Sequence, residues 1–155
     1  MNKRIQNLLD LGHLVHDAAP DEEIVGLWGH ALEAYDDMCL ANRAPARRLL
    51  SAYDAGRVAA LAVVRAANLR VRARNHHEMT FTAAGFLAGE EVADLVQKFQ
   101  KLRLQRIEME YGWKEKASPD DVERAISKLR LLLAHAVRSI GEQRPALQGT
   151  IEPPA

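Results

Sequence analysis

Nearly the whole chain repeats its apolar residues at intervals of three and four positions, and this spacing constrains the fold more than any other feature. Aromatic residues make up only 5% of the sequence, and they never alternate with polar residues over the length of a strand. Intervals of three and four place apolar side chains on one side of a helix, whereas a strand needs strict alternation. The sequence therefore predicts an all-α protein.

Prolines and capping residues divide this pattern into five to six helices. Pro20 and Pro45 suit first helical positions, and Ser118, followed by a proline and two acids, is the strongest helix start in the chain. Asn75 and Glu78 have the spacing of a capping box. The predicted helices cover approximately 3–16, 20–41, 45–67, 75–89, 92–111 and 118–140. The third helix is apolar almost all round over 58–67, so it is predicted to lie at the centre of an antiparallel bundle.

Length and charge indicate one domain. A chain of 155 residues, 48% of them apolar, can bury a core of its own, and its 21 basic and 21 acidic residues balance. We therefore expect a single helical-bundle domain over 1–143 and a flexible, proline-containing C-terminal tail over 144–155. The sequence has no signal peptide and no window apolar enough for a membrane span, and its single Cys39 has no partner for a disulfide. These features predict a cytoplasmic protein without membrane association.

A dense group of cations lies where the central predicted helix ends. It comprises Arg65, Arg70, Arg72, Arg74, His76 and His77. Because the net charge is zero, any affinity for a polyanion must come from a local patch of this kind. Guanidinium groups bind phosphate through paired hydrogen bonds, and imidazole transfers protons near neutral pH, so the group is chemically sufficient for RNA cleavage without a metal. The alternative interpretation is structural: the arginines close one helix, and solvated histidines begin the next.

Histidines three positions apart offer a different chemistry. His13 and His16 would share one face of the first predicted helix, and His30 with Glu33 repeats the spacing on the second. Such pairs bind metal where they project inward from facing helices, but they can equally lie on a solvated face. A metal-binding bundle is therefore a second alternative function, although we expect no structural metal and no cofactor.

A second charged motif, LRLQRIEMEYG, occupies 102–112 near the end of another predicted helix. Arg106 and Glu110 have the spacing of an ion pair on a solvated helix face. A functional interpretation of this motif depends on a comparison with known families.

The LRVRARNHH segment over 69–77, the motif over 102–112 and the acid-started last helix together resemble the HEPN superfamily of small helical bundles. The resemblance spans about 44–140. HEPN proteins include metal-independent endoribonuclease toxins, defence effectors, antitoxin-paired proteins and members without catalysis. In the nucleases, an arginine followed after four to six residues by a histidine faces its copy across a dimer. Arg72 with His77, or Arg70 with either histidine, has this spacing, but the motif lies earlier than in those nucleases, and the late motif lacks a histidine.

The resemblance implies a homodimeric, toxin or defence-type endoribonuclease that acts on RNA without a metal. The implied catalytic residues are Arg70, Arg72, His76 and His77, and the implied substrate-binding residues are Arg74, Arg103, Arg106 and Tyr111. The first alternative is a non-catalytic HEPN homodimer that binds RNA or a partner protein. The resemblance also implies a cognate antitoxin or a nucleotidyltransferase as partner, and the full apolar stripe of the last predicted helix favours a dimer.

Overall fold

The computed structural model describes residues 2–89, 92, 94, 95, 97, 98, 101 and 117–155. The elements of this part are, in chain order, α1 (Lys3–Asp10), β1 (Leu14–His16), α2 (Asp21–Met38), α3 (Pro45–Ala66), β2 (Leu69–Val71), α4 (His76–Ala88), α5 (Pro119–Gln143) and a short 3-10 helix (Pro145–Leu147). A mostly helical bundle is confirmed. The motif over 102–112, with Arg103, Arg106 and Tyr111, lies outside the described residues, as does most of the predicted helix over 92–111.

Helix α3 lies at the centre of the structure and packs against α2, α4 and α5. Small residues occupy most of its buried positions, which lets the neighbouring helices approach closely. They include Ala52, Ala55, Gly56, Ala59, Ala60 and Ala62. The predicted central helix is therefore confirmed. Among the described residues, no helix is both long and apolar enough to cross a membrane.

Helix α5 begins at the predicted signal. The Ser118 Oγ accepts a hydrogen bond from the Asp121 backbone N–H at 3.2 Å, and the Ser118 N–H donates to the Asp121 carboxylate at 2.9 Å. These bonds, together with Arg124, lower the pKa of the Asp121 carboxyl. The apolar stripe of α5, including Val122, Leu129 and Leu133, is buried within the chain. This stripe therefore no longer supports the expected dimer.

The first helix is shorter than predicted, and a small sheet replaces its second half. Helix α1 ends at Asp10, and Gly12 adopts a φ of +77°, a left-handed conformation that glycine tolerates best. The chain then forms β1, which pairs antiparallel with β2 in the register Leu14↔Val71, Val15↔Arg70 and His16↔Leu69. The strictly all-α prediction is therefore wrong in this detail, because the partner strand lies more than fifty residues away in the sequence.

The C-terminal segment is packed, in contrast to the flexible tail expected over 144–155. Leu147 and Ile151 are buried, and the indole Nε1 of the buried Trp28 donates to the Glu152 carbonyl oxygen at 2.8 Å. Arg144 reaches back to the end of α3, where its guanidinium donates to the Ala66 carbonyl oxygen at 2.9 Å. The segment therefore covers part of α2 and closes the end of α3.

Candidate nucleic-acid interface

Three exposed arginines alternate with buried residues in β2 and in the segment that follows it. Arg70, Arg72 and Arg74 are exposed. The residues that alternate with them, Leu69, Val71 and Ala73, are only 2%, 4% and 5% exposed. Successive side chains of an extended chain point to opposite sides, so Arg70 and Arg72 lie about 6.6 Å apart along the backbone direction. Arg74 lies in the bend over 73–75 that follows. We call Arg70, Arg72 and Arg74 the arginine edge.

Residues of β1 and its start hold the backbone of Arg70 and Arg72 in place. Val15 pairs with Arg70 in the sheet, and the backbone N–H of Arg72 donates to the His13 carbonyl oxygen at 2.9 Å. The burial of Leu69 and Val71 fixes the register, because a slip of one residue would expose both. Arg70 and Arg72 therefore project from a backbone that β1 fixes, and Arg74 lies in the bend that follows.

The members of the arginine edge differ in their ionic partners. The Nε of Arg70 lies 3.5 Å from the Asp17 carboxylate, and both side chains are substantially exposed. Arg72 and Arg74 make no ion pair and no side-chain hydrogen bond with any residue in the described ranges. Their positive charges therefore remain available to an anion, whereas an anion at Arg70 would compete with Asp17.

Arg65 belongs to the core and is separate from the arginine edge. Its guanidinium contacts the Glu23 carboxylate at 2.5 Å and that of Asp17 at 3.2 Å. It also donates to the carbonyl oxygens of Asp17 and Leu69, both at 3.0 Å. The hydrogen bond to Glu23 is the main reason that the pKa of Arg65 is raised above its ordinary value, against the opposing effect of burial. The cation group predicted from the sequence therefore divides in two.

The two histidines at the start of α4 differ in their surroundings. His76 is exposed, whereas His77 is half-buried, with its Nδ1 only 2.7 Å from the hydroxyl oxygen of Tyr53. Tyr53 belongs to α3, is 1% exposed, and packs its ring against Phe81 at a centroid distance of 6.0 Å. Tyr53 is not among the residues that the sequence patterns single out. Its one available signal was a phenol hydroxyl on the apolar face of the central helix, which requires a polar partner.

The start of α4 differs from the capping box predicted for it. The Asn75 side chain makes no capping hydrogen bond and instead donates to the Glu78 carboxylate at 3.3 Å. The backbone N–H groups of the first turn therefore lack a side-chain cap at this residue, and the positive end of the helix dipole directly follows Arg74 in the chain. This polarity adds to the positive charge of the arginine edge.

The histidines proposed for the metal-binding alternative do not form a cluster. His13 precedes β1 and His16 ends it, so the two residues do not share a helix face. Within the described ranges, no group of three His, Cys, Asp or Glu side chains is arranged to hold a metal ion. The metal-binding alternative therefore has no candidate site in this part of the chain.

Comparisons with known proteins assign no family to this chain. No protein-family model, no curated protein and no solved structure matches this sequence. The resemblance to the HEPN superfamily stays a prediction from the two motifs. The function is therefore inferred from the geometry and charge of the arginine edge and of the histidines that follow it.

Proposed function

We propose that this protein binds RNA through the arginine edge. The observation that carries the proposal is the alternation of three exposed arginines with three buried apolar residues, which leaves three cationic side chains on the surface close together in the chain. Guanidinium forms strong, charge-assisted hydrogen bonds with phosphate, and most contacts to a nucleic-acid backbone are of this kind. These cationic side chains provide the local attraction that a chain of zero net charge otherwise lacks.

The structural alternative accounts for other arginines. Two other arginines close the end of α3. The Arg65 guanidinium donates hydrogen bonds to carbonyl oxygens of the adjoining segments, and the Arg144 guanidinium donates to the carbonyl oxygens of Arg65 and Ala66. Arg72 and Arg74 take no part in that network among the residues that the structure describes. The exposure of both side chains therefore supports a role in binding.

The proposal is tested with the double variant Arg72→Gln and Arg74→Gln. We expect its affinity for a fluorescein-labelled RNA, measured by fluorescence anisotropy, to fall at least roughly tenfold, because hydrogen bonds to charged groups contribute substantially to binding. For a single-stranded RNA, the slope of log K against log salt concentration should become shallower by about 1.4, because a variant that makes two fewer phosphate contacts releases fewer counterions on binding.

The matched control is Arg43→Gln with Arg47→Gln. These arginines are exposed, their loss changes the net charge equally, and they lie at the opposite end of α3 from the arginine edge. The control variant should bind within about twofold of the unmodified protein, a margin consistent with long-range screening by salt. An equal loss in both variants, with both folded by circular dichroism, would show that only total charge matters and would contradict the proposal.

Metal-independent cleavage of the bound RNA is the second candidate function, as a toxin or defence component of the kind that the HEPN resemblance implies. It is favoured by the position of His76 and His77 directly after the arginine edge. In this reaction the ribose 2′ oxygen attacks the adjacent phosphorus and gives its proton to a base. The bond from phosphorus to the 5′ oxygen breaks, and that oxygen takes a proton from an acid. Guanidinium groups stabilise the additional negative charge of the transition state.

Cleavage is tested by incubating RNA with the protein in the presence of EDTA. We expect fragments with 2′,3′-cyclic phosphate and 5′ hydroxyl ends, and a loss of roughly 100-fold or more in rate for His76→Ala, which removes an acid-base group. RNA methylated at the 2′ oxygen should bind but stay intact. If unmethylated RNA binds and is never cleaved, the non-catalytic binding module is the correct alternative.

A homodimer, and a cognate antitoxin or nucleotidyltransferase, are proposals that the HEPN resemblance supports. The large apolar residues that remain exposed in the described part are Leu11, Val25, Leu40 and Leu131. They are distributed over different segments, which is ordinary for a protein surface. The proposed dimer therefore rests on the composite Arg/His site that the resemblance implies.

A further inference from the structure

Asp17 lies on the same face of the two-stranded sheet as Arg70 and Arg72. The backbone N–H of Asp17 donates to the Asn68 carbonyl oxygen at 2.9 Å, which continues the pairing of the strands by one residue beyond β1. Alternate residues of a strand share a face, so Asp17 shares one with Val15, the partner of Arg70. The Asp17 carboxylate lies 3.5 Å from the Nε of Arg70. A carboxylate therefore borders the arginine edge.

The buried Arg65 holds this carboxylate in position. Its guanidinium lies 3.2 Å from the Asp17 carboxylate and donates to the Asp17 carbonyl oxygen at 3.0 Å. The Asp17 side chain is nevertheless 43% exposed, and Arg65 and Arg70 are its only ionic partners in the part of the chain that the structure describes. A carboxylate has about four sites that accept hydrogen bonds, so Asp17 keeps acceptor capacity on the side that faces solvent.

A fixed carboxylate beside two guanidinium groups discriminates between nucleic-acid backbones. It repels the phosphates that the arginines attract, so it weakens the binding of any polyanion that offers it no hydrogen bond. The sugar–phosphate backbone of DNA contains no hydrogen-bond donor. In RNA the ribose 2′ hydroxyl is a donor close to each phosphate, and a hydrogen bond from it to the carboxylate offsets the repulsion.

We infer that Asp17 accepts a hydrogen bond from a ribose 2′ hydroxyl and thereby makes the arginine edge select single-stranded RNA over single-stranded DNA. The inference rests on the proposed RNA binding and adds the residue that sets its specificity. A strand whose phosphates contact Arg70 and Arg72 brings a sugar close to Asp17, because the carboxylate is in direct contact with the first of these arginines. Arg65 keeps the acceptor in this place before the ligand binds.

The test compares an RNA and a deoxyuridine-containing DNA of the same base sequence by fluorescence anisotropy. We expect the unmodified protein to bind the RNA roughly tenfold more tightly, the effect of one hydrogen bond to a charged group. In Asp17→Ala the two affinities should agree within about twofold, because DNA is no longer repelled and RNA loses its acceptor. Each ratio is measured on one variant, so partial unfolding, which lowers both affinities equally, leaves the ratio unchanged.

Asp21→Ala is the matched control. The Asp21 side chain is 49% exposed, and its carboxylate pairs at 2.7 Å with Arg144 rather than with a member of the arginine edge. The substitution removes the same charge near the same end of α3, so the preference for RNA should stay at roughly tenfold. A preference that falls equally in both variants would show that net charge or packing sets it, and would overturn the inference.

RNA that carries fluorine at the 2′ position separates the hydroxyl donor from the shape of the sugar. Fluorine preserves a ribose-like sugar conformation but cannot donate a hydrogen bond, so the unmodified protein should bind this oligonucleotide as weakly as DNA. Binding as tight as that of RNA would overturn the inference, because sugar shape would then explain the preference. Equal binding of RNA and DNA by the unmodified protein would overturn the inference and leave the proposed RNA binding intact, whereas binding of neither would contradict both.

Discussion

Replacing Arg65 with methionine is expected to lower the free energy of unfolding by about 3 kcal/mol, because it breaks an ion pair whose cation is buried. The Arg65 side chain is 9% exposed, and those of its partners Glu23 and Asp17 are 38% and 43% exposed. Partial hydration of the carboxylates holds the expected effect near the lower end of the usual range for buried pairs. Methionine keeps much of the apolar volume but leaves the Asp17 and Leu69 carbonyl oxygens without their donor. Urea unfolding followed by circular dichroism measures the effect.

Arg70→Met is the matched control for this prediction. Its guanidinium also faces Asp17, at 3.5 Å, but the pair is exposed, so the substitution should cost less than about 1 kcal/mol. The two variants lose the same charge at neighbouring sites, and a similar cost for both would contradict the assignment of Arg65 to the core.

Ending the chain after Arg144 is expected to lower the free energy of unfolding by about 3 kcal/mol. The truncation exposes the surface that Leu147 and Ile151 cover, and each such side chain contributes about 1.5–3 kcal/mol when fully buried, less the entropy of ordering the segment. It also removes the carbonyl oxygen of Glu152, to which the buried Trp28 indole donates. Urea unfolding of the truncated chain measures the loss, and the indole fluorescence should report increased hydration.

Removal of 153–155 alone provides the comparison. These residues follow the Trp28 contact and do not include Leu147 or Ile151, so their loss should change the free energy of unfolding by less than about 0.5 kcal/mol, as surface changes usually do. Equal free energies of unfolding for the full chain and both truncated forms would support the flexible tail that the sequence predicts over 144–155.

The sequence by itself determined the helical character of the chain and several of its helix starts. Pro45 begins α3, and Ser118 caps α5, as predicted. The apolar residues on nearly all sides of 58–67 also identified α3 as the central helix. These features were predictable because capping, proline geometry and helical periodicity involve residues only a few positions apart.

Only the tertiary structure decided which of the clustered cations are available to an anion. Arg65 and Arg72 are indistinguishable in a local pattern of basic residues. One becomes buried because Glu23, forty-two residues away, supplies its carboxylate, and the other stays exposed because β1 fixes an extended backbone beneath it. The contact between Tyr53 and His77, twenty-four residues apart, has the same origin. Long-range hydrogen bonds and burial depend on how helices and strands meet, which no local spacing encodes.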